Sequence, residues 1–194
     1  MSYEEKRVRT ADFGSLPGDS ELLVDVPTID GQEQQRLHTL AAQGMQKLAE
    51  AIQNDLGIEL KIASGWRKHR WESFEQYKKI MIQKYGSLEQ GRKFLAFDSP
   101  HETGLAMDIG VGGLEPKSAT RDKQSHTEIF KWMVEHAWEY GWHPYKVEPW
   151  HWEFPVSMDA YKSGTIADGD PGHTPSEPAE GEQDVVEAHL DENG

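Results

Sequence analysis

Apolar residues three or four positions apart predict a long helix in the first third of the chain. Its apolar face consists of Leu37, Leu40, Ala41, Leu48, Ile52 and Leu56. Asp30 and Glu33 have the spacing of a capping box, so we expect the helix to begin after Asp30. Gly57 is the expected end, because glycine readily adopts the left-handed conformation that closes a helix.

Three further helices follow from the same kind of pattern. One is predicted over residues 68–85, with Gly86 as its end and four large side chains facing inward: Trp71, Phe74, Tyr77 and Met81. Capping boxes that start at Ser87 and Ser125 predict two more helices, the first ending near Phe97 and the second at Gly141.

Strands are predicted where apolar residues alternate with other residues over short stretches. These stretches are residues 22–26, a stretch from residue 58 to an end at Ser64-Gly65, residues 106–111 and residues 150–154. Helices and strands alternate without the regular rhythm of a doubly wound sheet. The pattern therefore favours an α+β fold.

The charge of the chain is concentrated at one end. The 194 residues include 34 acidic and 20 basic ones, for a net charge of −14. Residues 165–194 hold 9 of the acidic residues and no lysine, arginine or aromatic residue. Such a segment buries too little apolar surface to offset its chain entropy, so we expect a disordered acidic tail. The tail is either simply solvated or a docking peptide for a partner protein.

Composition also excludes several classes of function. The acidic balance argues against a nucleic-acid partner, since phosphate binding needs a basic surface. No run of about 18 apolar residues predicts a membrane span, and the first residues do not resemble a secretory signal. Cysteine is absent, so any metal must be bound by His, Asp or Glu, and 9 histidines are present.

Two short segments contain the residue types of a metal site. They are Ser99-Pro-His101-Glu-Thr-Gly104-Leu-Ala106-Met-Asp108 and Glu148-Pro-Trp150-His151-Trp152-Glu153. A turn that leads into a strand can bring His101 and Asp108 together, and His151 lies in a second predicted strand. Two histidines and one aspartate suit zinc, with the fourth position open to water. Glu148 is placed to approach the same point without necessarily binding the metal.

Together these segments resemble the signature of the VanY-type zinc D-alanyl-D-alanine carboxypeptidases. This LAS group also includes D,D-dipeptidases, phage L-alanyl-D-glutamate endopeptidases and the Hedgehog signalling domain. Its pattern is Ser-x-His-x-x-Gly-x-Ala-x-Asp followed by Glu-x-x-His, and the chain matches both parts at every defined position. The segment Ser64-Gly65-Trp66-Arg67 is similar to the group's Ser-Gly-Tyr-Arg. The resemblance spans residues 37–155.

The resemblance implies a role for each matching residue. The zinc ligands would be His101, Asp108 and His151. Glu148 would be the catalytic base, and Arg67 a contact for the substrate or for the oxyanion. Two further candidate substrate contacts, Ser99 and Trp150, have structural alternatives: Ser99 could fix its own loop, and Trp150 could belong to the core.

The resemblance also implies a fold and a domain organisation. We expect a small, mainly antiparallel sheet flanked by helices, with the zinc site on the sheet. The peptidase domain would cover residues 31–164, after an irregular segment 1–30 and before the tail 165–194.

The implied function is hydrolysis of a peptide bond in the bacterial peptidoglycan stem peptide. The sequence leaves the bond open between a D,D- or L,D-carboxypeptidase and an L-alanyl-D-glutamate endopeptidase. Without an export signal, we expect synthesis in the cytoplasm and non-classical delivery to the cell wall, as an endolysin or a lysin of a phage tail or injection machine. The alternative is a zinc-containing module that binds the wall or a protein without cutting.

Overall fold

A four-stranded antiparallel sheet is the framework on which the rest of the chain is arranged. The computed structural model describes residues 9–93, 95–110, 114–145 and 148–168. The sheet has the order β3-β4-β6-β5, and its strands are β3 (Ile62–Ser64), β4 (Ala106–Ile109), β5 (His143–Tyr145) and β6 (Glu148–Glu153). With helices around this sheet, the α+β prediction is confirmed.

A second, two-stranded sheet leads directly into the longest helix. Its strands are β1 (Leu23–Asp25) and β2 (Arg36–His38), and α1 (Thr39–Leu56) begins at the next residue. The capping box predicted at Asp30 is therefore wrong, because residues 36–38 are held in strand pairing. His38 is the actual N-cap, and its Nδ1 accepts a hydrogen bond from the backbone N of Leu40 at 3.2 Å. Gly57 ends the helix with φ +68°, as predicted.

Two helices form a small unit beside the main sheet, α2 (Phe74–Tyr85) and α3 (Leu88–Arg92). The predicted start of α2 at residue 68 is wrong: Ser73 caps it, accepting from the backbone N of Gln76. Trp71, Tyr77 and Met81 are buried together as predicted, whereas Phe74 is 41% exposed. The helix α3 begins after Ser87 as predicted but ends well before Phe97.

Three short helices complete the C-terminal half. They are α4 (Arg121–Ser125), α5 (Glu128–His136) and α6 (Met158–Ser163), and one-turn 3₁₀ segments lie at Thr10–Phe13, Pro100–Thr103, Ser118–Thr120 and Ala137–Tyr140. Ser125 is not the cap of α5, since Thr127 holds that position and accepts from the backbone N of Phe130. Among the described residues, no helix is both long enough and apolar enough to cross a membrane. Most of the predicted acidic tail, residues 169–194, lies outside the described residues.

The main core lies between α1, α5 and one face of the four-stranded sheet. It includes Leu48 and Ile52 from α1 and Phe130 from α5. The sheet contributes Met107 of β4 and Trp152 of β6, which are directly opposite each other in the strand register. Because side chains alternate across a strand, the neighbours of these two residues point to the other face of the sheet.

Gly104 lets the turn after His101 pack closely against β2. Its φ is +71°, and a Cβ there would lie 2.6 Å from the backbone N of His38. The carbonyl of Gly104 accepts a hydrogen bond from that same nitrogen at 2.9 Å. A side chain at this position would therefore break a contact between two backbone segments.

We predict that Gly104→Ala destabilises the protein more than Gly57→Ala. Both glycines have positive φ, so each substitution costs about 1–2 kcal/mol of backbone strain. Only Gly104 has a backbone neighbour that a Cβ would meet, which adds about 1–3 kcal/mol. Urea denaturation of the two variants measures the difference, and equal losses would contradict the close-packing argument.

Candidate metal centre

The register of β4 against β6 brings two of the three predicted ligands together. Asp108 and His151 are directly opposite each other in the strand pairing, on the face of the sheet away from Met107 and Trp152. Asp108 Oδ1 lies 3.0 Å from His151 Nδ1, and both residues are buried. The spacing of core residues along both strands therefore also sets the position of this pair.

The third predicted ligand, His101, comes from the 3₁₀ turn Pro100–Thr103. The turn begins at Ser99, whose Oγ accepts from the backbone N of His101 at 3.4 Å. The other end is closed by Gly104. His101 Nδ1 donates to the carbonyl oxygen of Gly65 at 2.8 Å, which fixes the ring so that Nε2 faces the Asp108–His151 pair. Gly65 is required at this point because a Cβ would lie 2.3 Å from the carbonyl oxygen of Arg36.

The three ligand atoms form a nearly equilateral triangle. His101 Nε2 lies 3.2 Å from Asp108 Oδ1 and 3.2 Å from His151 Nδ1, and the third side is 3.0 Å. Zinc bonds of about 2.0–2.1 Å in tetrahedral geometry require ligand atoms about 3.3 Å apart. The triangle is within a few tenths of an ångström of that spacing, so the residues present fit zinc.

The hydrogen bonds around the triangle leave lone pairs facing inward. Because His101 donates from Nδ1, its neutral ring has a lone pair on Nε2. His151 Nε2 lies 3.4 Å from Glu153 Oε1, and a hydrogen bond there leaves the lone pair of His151 on Nδ1. Once His151 Nδ1 is deprotonated, as metal binding requires, these two nitrogens and the Asp108 oxygen converge on one point as three acceptors. A cation satisfies all three at once, and the outer partners hold each ring in its ligating orientation.

The electrostatic surroundings favour positive charge at the same point. Burial lowers the pKa of His101, which keeps the ring in the neutral, ligating form. Burial alone would raise the pKa of Asp108, but His101 and His151 beside it bring that pKa well below its usual range. Burial would likewise lower the pKa of His151, yet hydrogen bonds to Asp108 and Glu153 raise it to about 9.

Arg67 lies at the edge of the triangle. Its Nη2 is 3.7 Å from Asp108 Oδ2, and its backbone N donates to the carbonyl of His101 at 3.2 Å. About half of the Arg67 side chain is exposed, so the guanidinium faces the open side of the site. The preceding Trp66 anchors this segment, because its Nε1 donates to the carbonyl oxygens of Leu16 and Glu102.

Glu102 stabilises the loop of His101 in a way that the sequence pattern did not reveal. Its buried carboxylate accepts hydrogen bonds from Ser15 Oγ and His69 Nδ1, each at 2.8 Å. His69 therefore joins the loop of His101 to the segment that carries Arg67. Glu102 occupies an undefined position of the motif, so no sequence signal distinguished it from an exposed acid.

A cleft of about 880 Å³ contains the remaining predicted site residues. Glu148, Ser99 and Trp150 all line it, together with the three clustered side chains. Simple alternation along β6 would place Glu148 and His151 on opposite faces. The pairing of β5 with β6 shifts register between Pro144 and Tyr145, opposite this stretch, and such an irregularity changes the direction of side chains.

Ser99 and Trp150 also have evident structural roles. Ser99 caps the turn of His101, as described above, and the side chain of Trp150 is 6% exposed. Their assignment as substrate contacts stays a prediction.

Comparison with known proteins identifies the family. The model of the VanY family, described as D-alanyl-D-alanine carboxypeptidase, matches residues 34–157. The chain belongs to this family. Membership makes it a peptidase, and the triangle of His101, Asp108 and His151 could hold a metal ion, with a spacing that fits zinc.

The solved structures include a match of low identity. It is the crystal structure of a mutant of the vancomycin resistance D,D-pentapeptidase VanY, from a VanB-type resistance cassette, in complex with Zn(II). The two chains are 19% identical, the alignment covers 91% of this chain and 94% of that one, and the TM-score is 0.43. No curated protein sequence matches the chain.

We predict that Glu153→Gln weakens zinc binding without removing a ligand. The substitution removes the charge of the carboxylate that accepts from His151, and changes of this kind typically weaken metal affinity by about 10–100-fold. Competition between the protein and a chelating dye measures the affinity. Glu75→Gln, on the exposed first turn of α2, is the matched control. Unchanged zinc affinity in Glu153→Gln would show that this hydrogen bond does not support the ligand.

Proposed function

We propose that this protein is a zinc-dependent peptidase that hydrolyses a peptide bond in the bacterial peptidoglycan stem peptide. The observation that carries the proposal is the common cleft, in which Glu148 and Arg67 accompany the triangle of His101, Asp108 and His151. Family membership supports the reaction type. The activity by which the family is described, D-alanyl-D-alanine carboxypeptidase, supports the substrate class.

The proposed roles follow from residue chemistry. His101, Asp108 and His151 hold the zinc ion. When bound, zinc supplies a Lewis acid that polarises the peptide carbonyl and lowers the pKa of a bound water toward ~7. Three protein ligands leave the fourth position of a tetrahedral site open for this chemistry.

Glu148 serves as the general base and then as the general acid. Its carboxylate takes a proton from the attacking water and delivers it to the departing amine, so the leaving group departs in neutral form. The other carboxylates near the metal have different partners: Asp108 is a ligand, and Glu153 lies beside His151. Glu148 is thus the carboxylate of the cleft that is best suited to proton transfer.

Arg67 stabilises negative charge. A guanidinium beside the metal can contact the carbonyl oxygen as charge develops on it, and one such donor is worth about 3–4 kcal/mol. The same group can hold the free carboxylate of a C-terminal residue, so the role of Arg67 is compatible with either a carboxypeptidase or an endopeptidase.

We propose that the protein is a lysin that reaches the cell wall through a membrane lesion or is carried there by a phage tail or injection machine. Residues 165–194 would then be a docking segment.

Digestion of purified peptidoglycan tests the proposed function directly. We expect fragments that carry a new peptide end, with formation stopped by a chelator and restored by zinc. Mass spectrometry then identifies the bond: loss of one D-alanine marks a carboxypeptidase, and a cut between L-alanine and D-glutamate an endopeptidase. If a zinc-loaded protein binds the wall but releases no product, the proposal is wrong and the protein is a binding module.

Glu148→Ala is expected to lower turnover by orders of magnitude and to keep the metal. Loss of a general acid–base group lowers kcat by about 10²–10⁴-fold. Zinc content, measured by mass spectrometry of the metal, should stay at the wild-type level because the three ligands remain. Glu50→Ala, on the exposed side of α1, is the control and should keep full activity. Combined loss of zinc and turnover would instead identify Glu148 as a ligand.

A further inference from the structure

One wall of the cleft is positively charged, although the chain as a whole is strongly acidic. The cations of this wall come from two stretches, residues 67–71 and residues 92, 93, 95 and 96, which contribute Arg67, Lys68, Arg70, Arg92 and Lys93 to the lining. Arg9 also lines the cleft but is paired with Asp12 at 3.7 Å. The net charge of the chain is −14. A cluster of cations at the cleft is therefore a local departure from the average composition.

The small core of the α2–α3 unit holds these two segments side by side. Trp71 Nε1 donates to the carbonyl of Ala96 at 3.0 Å, and the hydroxyl of Tyr77 donates to the carbonyl of Leu95 at 2.7 Å. The buried cluster of Trp71, Tyr77 and Met81 lies beneath them. The cationic residues are therefore held in place by a packed apolar core rather than lying on an isolated loop.

Two of the guanidinium groups are positioned by aromatic rings. Arg70 Cζ lies 5.7 Å from the centroid of the Trp71 ring, and Arg92 Cζ lies 5.9 Å from that of Phe74. Contacts of this kind restrict the side chain while leaving its N–H donors free for a ligand. The pre-organisation lowers the entropy that must be lost when an anion binds.

These cations are not neutralised by nearby acids. Among residues in the described ranges, Lys68, Arg70, Arg92 and Lys93 have no ion pair within 4 Å. All four side chains are exposed.

Most of the acidic residues that line the cleft contact groups other than these cations. Glu102 is bound to His69 and Ser15, and three more acids lie at the metal centre: Asp108, Glu148 and Glu153. Asp98 is the remaining acid of the lining and is itself exposed.

We propose that Arg70, Arg92 and Lys93 form a subsite for carboxylates of the substrate peptide, so that the enzyme prefers stem peptides with free carboxylates over amidated ones. The inference rests on the proposed function and names its substrate class. The cleft is continuous from the metal centre to this wall. A peptide cut at the metal centre extends along the cleft, where its carboxylates meet the cations. Guanidinium groups match the planar, two-oxygen geometry of a carboxylate.

The test compares two synthetic stem peptides that share the same scissile bond. In one peptide the side-chain carboxylates are free, and in the other the same groups are amides. We expect wild-type kcat/KM to favour the free-carboxylate peptide by about tenfold, which is the combined effect of a few exposed ion pairs. The preference should arise in KM and should decline as salt concentration rises.

The decisive variant is the triple substitution Arg70→Gln, Arg92→Gln and Lys93→Gln. We expect its kcat/KM ratio for the two peptides to fall toward one. The matched control replaces Lys47, Lys123 and Lys131 by glutamine, which changes the net charge equally at exposed positions outside the cleft lining. This control should keep the wild-type ratio. A second variant, Arg70→Lys with Arg92→Lys, retains both positive charges. It should therefore keep most of the preference for the free-carboxylate peptide.

Three results would overturn the inference. They are equal kcat/KM for both peptides in the wild type, a ratio that the triple substitution leaves unchanged, and an equal fall in the ratio for the control. Stronger competition by a polyol phosphate polymer, lost in the triple variant, would also overturn it by assigning the wall to phosphodiesters.

Failure of the proposed function is distinguishable from failure of this inference. If neither peptide is cut, calorimetric Kd values for the zinc-loaded protein still compare the two peptides. Tenfold tighter binding of the free-carboxylate peptide, lost in the triple variant, would then support the subsite even without hydrolysis.

Discussion

The pairing of β4 with β6 is the constraint on which the site depends. In this register Met107 faces Trp152 in the core, and Asp108 therefore faces His151 on the opposite side of the sheet. A shift of one residue in one strand would turn its whole set of side chains over. It would bring either a carboxylate or an imidazole into the apolar core, where an unpaired polar group is strongly unfavourable. Hydrophobic packing and ligand geometry thus select the same register.

Close contacts between backbone segments bring the third ligand and the arginine to this pair. Gly65 lies against the carbonyl of Arg36, and Gly104 lies against the backbone of His38. These contacts join the loop of His101 and the segment of Arg67 to β2, which continues directly into the central helix α1. The site is therefore held by the same elements that enclose the core, and we expect its geometry to be rigid before substrate binds.

Charged side chains are unevenly distributed around the cleft. Carboxylates surround the two histidines, where they would balance a cation. Cations with no ion pair within the described part of the chain line the neighbouring wall beside the α2–α3 unit. Under the proposed function the substrate is an acidic peptide, which an acidic protein would otherwise repel, since like charges oppose association. The cationic wall would offset that repulsion locally.

The sequence by itself determined the candidate metal-binding residues, their spacing, the family and most helix ends. His101, Asp108 and His151 were predictable because their motif is short and each residue has a distinct chemistry. Glycine ended the helices at Gly57 and Gly86 because a left-handed residue is a local requirement. Tertiary structure decided where α1 starts, since strand pairing at residues 36–38 overrode the local capping pattern. It also decided the role of Glu102, because the partners of that carboxylate, Ser15 and His69, are far away in the chain and local periodicity carries no information about them. The contact of Glu153 with His151, two residues away on the same strand, follows by contrast from simple alternation.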